Sequence, residues 1–122
     1  MCAETWIRPN ASKKQWGPKK WDRLHKIAIG YPRRPSPADA RVAYRSIWAL
    51  VVNLPCAECR EHAARYVTRN PPDLANTETL QIWAWRFHNA VNARLGKRLV
   101  SYWEYLRLYA NELWEANCRD SL

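Results

Sequence analysis

The stretch LPCAECREHAARYV, residues Leu54 to Val67, decides how this chain is read. Cys56 and Cys59 stand three residues apart just behind Pro55, and His62 follows three residues later. Proline presets its own φ and is tolerated where a helix begins. A helix is therefore expected from about Cys56 to just before NPPD, residues 70–73.

Several chemistries use a close cysteine pair. A structural zinc site needs four Cys or His ligands in two spaced pairs. Cys56, Cys59 and His62 supply three, and no second C-x-x-C or H-x-x-x-H completes the set. Haem attachment needs histidine directly after the second cysteine, where this chain has Arg60. A thioredoxin-like pair needs a strand before it and a sheet around it, and no alternating strand pattern occurs here. Two buried cysteines acting as small hydrophobes remain open. Position favours redox work: the unpaired N–H groups and dipole at a helix N-terminus stabilise thiolate, as do Arg60 and a protonated His62. The pair is placed to exchange disulfides.

Working outward, the chain reads as helical, with five segments. The first, about 18–30, sets Trp21, Leu24, His25 and Ala28 on one face. GYPRRPSP at 30–37 breaks it. Ser36 then reads as an N-cap, with Pro37 in the first turn and Asp39 closing a capping box. That helix is expected to reach about Leu54 and to turn Ala40, Ala43, Tyr44, Ile47, Leu50, Val51 and Leu54 inward. The fourth segment, about 77–95, carries Leu80, Trp83, Ala84, Phe87, Val91 and Leu95 inward, with Gly96 at the left-handed cap position. The fifth, about 102–116, offers Trp103, Leu106, Ala110 and Leu113 as its core face, with Tyr102, Tyr105 and Tyr109 beside them. Short connections between such helices give an all-α bundle of four main helices and a short fifth.

With 122 residues the chain has the size of one domain, and 48% apolar content excludes a disordered reading. Eight tryptophans and six tyrosines stand against a single phenylalanine. Such rings carry polar handles and line sites as well as cores. The net charge of +9 is scattered along the chain. It suits a solvated surface, an anionic cofactor, nucleic acid or an acidic partner. Residues 1–15 lack the apolar run of a signal peptide, and no window approaches a membrane span. A cytosolic setting is expected, where a C-x-x-C is catalytic or metal-binding more often than a disulfide scaffold.

A dithiol that cycles needs an electron acceptor, and no side chain is one. The fourth helix suggests where an acceptor binds. His88, Asn89, Asn92 and Lys97 interrupt an otherwise core-facing pattern, and His88 and Asn92 lie about 6 Å apart along one face. A lone histidine there is ordinarily a satisfied core residue. This group offers donors and acceptors for a large heterocycle. His25, four residues after Trp21, offers a second stacking and bonding pair.

In this order the residues resemble the Erv/ALR family of FAD-linked sulfhydryl oxidases, most closely its small viral members. WGPKKWDRLH, Trp16 to His25, is similar to the family's opening flavin motif. LPCAECREH, Leu54 to His62, is similar to its redox pair, and FHNAVNARLGK, Phe87 to Lys97, to its adenine and pyrophosphate signature. The resemblance spans about residues 16–110. It implies a helical bundle with FAD at its mouth, oxidising protein thiols to disulfides and passing the electrons to oxygen as hydrogen peroxide. Cys56 would exchange with the client, and Cys59 would lie against the flavin in a charge-transfer contact. Trp16, Gly17, Trp21, His25, His62, Trp85, His88, Asn89, Val91, Asn92, Lys97 and, more loosely, Tyr109 would hold the cofactor. No metal is implied.

The resemblance divides the chain into an N-terminal extension at 1–15, an oxidase domain at 16–115 and a tail at 116–122. It implies a homodimer, a thiol-containing client or shuttle protein as partner, and the host cytoplasm, viral factory or virion as setting. Many relatives staple the fourth helix to the following segment with a disulfide. Trp85 and Tyr102 fall at those places here, so aromatic packing has to hold the region. Cys2 and Cys118 are single, and a shuttle thiol, a link between subunits and an inert role all stay open for them. The competing class is a basic helical module for nucleic acid or protein without catalysis. It accounts for the charge but not for the C-x-x-C, and no helix-turn-helix or zinc-finger pattern supports it.

Overall fold

The computed structural model describes residues 16–113. The expected extension, the tail, the domain end at 115, Cys2 and Cys118 lie outside the described residues. Five helices follow in order: α1 (Gly17–Gly30), α2 (Pro37–Val52), α3 (Ala57–Arg69), α4 (Thr77–Arg94) and the short α5 (Tyr102–Leu108). No strand occurs among the described residues.

The starts follow local chemistry. Pro18 lies in the first turn of α1. At α2 the Asp39 N–H donates to Ser36 Oγ at 3.1 Å and the Ser36 N–H to Asp39 Oδ2 at 2.9 Å, closing the capping box. Asn76 and Thr79 build a second box before α4, which the helical periodicity alone does not announce. Gly96, at φ 69, ends α4. Its N–H donates to Ala93 O and that of Lys97 to Asn92 O, the two bonds of a Schellman cap.

The bundle forms because α1 lies against α4, α2 against α1 and α3 against α2. Leu24, Ala28, Ile47, Leu50, Val67, Leu80, Ala84 and Phe87 share one buried cluster. Buried polar groups tie the ends: Thr77 Oγ1 donates to Ala28 O at 2.8 Å, and Gln81 Nε2 donates to Thr77 Oγ1 at 2.9 Å. A second cluster joins Ile29 to Val100, Tyr105 and Tyr109.

Two expectations about facing change. On α2, Ala43, Ile47, Leu50 and Val51 are buried, but Tyr44 is 46% exposed. It packs its ring against Trp48 on the outer face, where a phenol keeps its hydroxyl wet. The fifth segment turns differently: Tyr105 and Tyr109 carry the buried face, Ala110 is exposed and Trp103 is 70% exposed. α5 stops at Leu108, short of the expected 116, and the chain is helical again at 110–113. The break coincides with Tyr109, whose buried ring seats 5.2 Å from that of His25.

Trp85 and Tyr102 meet edge to face, with ring centroids 5.3 Å apart. Trp85 Nε1 donates to Val100 O at 2.7 Å, and Asn89 Nδ2 donates to the same oxygen at 2.7 Å while Val100 N–H donates back to Asn89 Oδ1. This latch joins α4 to the segment that carries α5. Trp85→Ala is expected to lower unfolding free energy by about 3–5 kcal/mol. Trp85→Phe, which keeps a ring but loses the indole donor, should cost about 1–2 kcal/mol, both read by urea denaturation.

Candidate active site

The cysteine pair is mounted by the turn between α2 and α3. Pro55 cannot continue α2, and Cys56 takes the N-cap of α3 with extended backbone. Its Sγ accepts the Cys59 N–H at 3.2 Å, the place a serine or aspartate oxygen ordinarily fills. An N–H donor and the helix dipole thus converge on the Cys56 sulfur, an environment that favours negative charge. Both cysteines are partly exposed. Arg60 reaches back across the turn, its Nη1 donating to Leu54 O at 2.6 Å. Among the described residues no group of three His, Cys, Asp or Glu side chains is gathered to hold a metal ion.

Behind this turn lies a cavity of about 820 Å³, open solvent at its mouth included. Carbon-rich walls come from α1, α2 and α4, and Cys59 and His62 enter from α3. Trp21 and His88 stack in its wall, rings 3.9 Å apart and 7° from parallel. Asn92, buried, donates from Nδ2 to Arg98 O at 3.3 Å, and the Schellman cap brings Lys97 round to the wall. Lys20 and Arg94 add two further cations.

Of the residues singled out in the sequence, the structure brings Cys59, Trp16, Gly17, Trp21, His62, His88, Val91, Asn92 and Lys97 to this one cavity. Cys56 is not in its wall and stands at the N-cap outside it. His25 is 0% exposed and sits behind His88, with Nε2 2.9 Å from His88 Nδ1. Tyr109 sits behind His25 in turn. Asn89 and Trp85 do not reach the cavity because both are engaged by Val100 O. The sequence reading missed Lys20 and Arg94. Lys20 lies one turn past Trp16 and one before Leu24, so its helical spacing was the available signal.

His62 Nε2 stands 3.7 Å from Glu58 Oε1, and Arg94 Nη1 is 3.8 Å from the same oxygen, linking α4 to the first turn of α3. Glu58 is largely exposed, so these pairs add little stability.

The chain matches the Erv1/Alr family over residues 18–114. It belongs to the Erv1/Alr family. The FAD-linked sulfhydryl oxidase of African swine fever virus is 41% identical over 98 residues, covering 80% of this chain and 82% of that one. A putative FAD-linked sulfhydryl oxidase of Invertebrate iridescent virus 3 is 41% identical over 86 residues, 69% of this chain and 58% of that one. The solved yeast Erv1 core superposes with a TM-score of 0.72 at 26% identity, over 82% of this chain and 84% of its own. The FAD binding domain of Erv1 from Saccharomyces cerevisiae gives 0.73 at 24% identity, over 82% of this chain and 92% of its own, a likeness of fold. The Erv1/Alr fold thus sets the helices around the cavity.

Burial holds the two inner histidines neutral. It pushes His25 down to about 3 from its ordinary 6.5. Burial first, then the nearness of His25 and the Lys97 charge, hold His88 well below that range. With both rings neutral, one donates and the other accepts across the 2.9 Å contact. The unfolded chain protonates both near pH 6.5, whereas folded His25 stays neutral until about pH 3. The contribution of His25 is therefore fully present above 6.5 and is lost as pH falls from there toward 3, and that of His88 is lost in the same direction. Each such histidine adds a slope of about 1.4 kcal/mol per pH unit within its window. Urea unfolding between pH 6 and pH 5 should show that loss, and His25→Gln should remove about half of it.

Proposed function

We propose that this chain oxidises pairs of thiols in client proteins through Cys56 and Cys59, with FAD in the cavity beside them and oxygen as final acceptor. It is an FAD-dependent thiol oxidase, an oxidoreductase acting on sulfur groups. The observation that carries the division of labour is placement. Cys59 lines the cavity, while Cys56 stands partly exposed at the N-cap and outside the lining.

The cavity fits the group. A flat heterocycle is served by the stacked Trp21–His88 wall and the apolar faces of α1, α2 and α4. A diphosphate is served by Lys20, Arg94 and Lys97. Trp16, Gly17, His62, Val91 and Asn92 complete the residues that would hold FAD, with His25, Asn89 and Tyr109 supporting them from behind. Trp85 belongs to the Val100 latch. The chemistry FAD supplies when bound is acceptance of two electrons from the dithiol and their delivery to oxygen, giving hydrogen peroxide.

The chain's own steps follow from thiol–disulfide exchange. A client thiolate attacks Cys56 Sγ of the enzyme disulfide, and the Cys59 sulfur leaves as thiolate. The second client thiol then attacks the mixed disulfide, so the client leaves oxidised and Cys56 and Cys59 are both reduced. The thiolate formed on Cys56 is received by the Cys59 N–H.

The client is read as a thiol-containing protein that reaches Cys56 directly, and the working form as a homodimer. No helix among the described residues is long and apolar enough to cross a membrane. With viral relatives among the matches, the proposed setting is the host cytoplasm, in the viral factory or virion. The noncatalytic basic module finds no support in a carbon-walled cavity that contains one of the two vicinal cysteines.

Oxygen consumption with dithiothreitol as substrate tests the reading. Cys59→Ser should fall to background, at least a hundredfold below wild type, while still binding flavin. Cys56→Ser should lose turnover with protein thiols to the same extent. Wild-type rates in both variants would contradict the assignment.

A further inference from the structure

Arg60 binds the turn on both sides of Pro55. Its backbone N–H donates to Cys56 O at 2.9 Å, opening the hydrogen-bond ladder of α3. Its guanidinium Nη1 donates to Leu54 O at 2.6 Å, six residues back along the chain. Leu54 also lines the cavity. A bond from a charged donor is among the stronger ones in a protein. Lysine, lacking the planar fork, is a poorer substitute at such a site.

The same contact fixes where the charge sits. Arg60 lies four residues after Cys56, so the two share a face of α3. Turned back toward Leu54, the guanidinium is held at the N-terminal end of the helix, where the Cys56 sulfur accepts the Cys59 N–H. Its acidic neighbours on α3 have partners of their own. Glu58 is engaged by Arg94 of α4 and faces His62, and Glu61 is paired with Arg65 at 3.0 Å.

We infer that Arg60 is a positioning residue for the redox pair: it clamps the Pro55 turn and, through the charge so held, makes the Cys56–Cys59 disulfide a stronger oxidant. The inference rests on the reading of these cysteines as the working couple. The reason is thermodynamic. A fixed cation stabilises the thiolate of the reduced pair and does nothing comparable for the neutral disulfide. Stabilising the reduced form raises the potential, which makes the disulfide a readier acceptor of client electrons.

The experiment is redox equilibrium of the purified holoenzyme with glutathione under nitrogen at pH 7, with the pair's state read by thiol alkylation and mass. The reaction is balanced: the Cys56–Cys59 dithiol plus glutathione disulfide gives the enzyme disulfide plus two glutathione thiols. Arg60→Gln keeps a hydrogen-bond donor but loses the charge. It should favour the enzyme disulfide about tenfold more than wild type, a fall of about 30 mV. Arg60→Lys keeps the charge on a looser tether and should lie between, at about threefold. Melting curves and flavin absorption show that each variant is folded and loaded. Should Arg60→Gln misfold, Arg60→Lys decides alone: a twofold to fivefold shift supports the inference.

If the wild-type pair cycles but both variants stay within twofold of it, or lysine shifts the equilibrium more than glutamine, the inference is overturned and the oxidase reading stands. If the wild-type pair forms no disulfide under any glutathione ratio, the oxidase reading itself fails and the inference falls with it.

Discussion

The packing of α1 on α4 around Trp21, His25 and His88 is the constraint on which the rest depends. Trp21 and His88 stack in parallel and make one wall of the cavity. His25 locks that wall from behind, through a hydrogen bond that exists between two neutral rings. Burial keeps them neutral, and behind His25 the phenols of Tyr105 and Tyr109 have their ionisation pushed up for the same reason. A protonated ring here would be a buried charge beside apolar groups. Protonating either inner histidine therefore costs stability at the wall of the cavity.

Against this fixed wall the thiol pair is delivered by a different device, a proline turn. Pro55 ends the reach of α2, Cys56 caps α3, and the first turn of that helix carries Cys59 to the cavity. In the proposed oxidase the two sulfurs need different surroundings, because one would meet a client protein and the other a cofactor. A helix start supplies both within four residues. The N-cap position looks outward, and the third residue of the first turn looks back toward the bundle.

Much of this was legible in the sequence because it is written in local chemistry. Ser36–Pro37–Asp39 encodes a capping box, Gly96 a left-handed cap, and Pro55 before Cys56 a helix start; each depends on a few neighbouring residues. The cavity-facing polar pair on α4 was legible for a related reason, since His88 and Asn92 recur at helical spacing. What local pattern does not carry is depth. His25 and His88 look alike in sequence, yet only His88 reaches the cavity, because the order of the rings across the α1–α4 contact is a tertiary fact. Asn89 and Trp85 were read toward the cofactor. They turn instead to the Val100 carbonyl, an acceptor that only the folded α4–α5 connection brings within reach. On α5 periodicity pointed to the Trp103–Leu106–Ala110 face, and the buried His25 ring instead draws Tyr105 and Tyr109 inward.

The central claim is that Cys59 shares one cavity with a bound flavin and that the pair passes electrons to it. Anaerobic titration with a dithiol, followed by visible absorption, tests this most directly. The account predicts a yellow protein whose flavin band bleaches in proportion to added dithiol and returns on admitting oxygen, while Cys59→Ser retains its colour and resists bleaching. A folded wild-type protein that carries no flavin, or a Cys59→Ser variant that bleaches as fast as wild type, would contradict it.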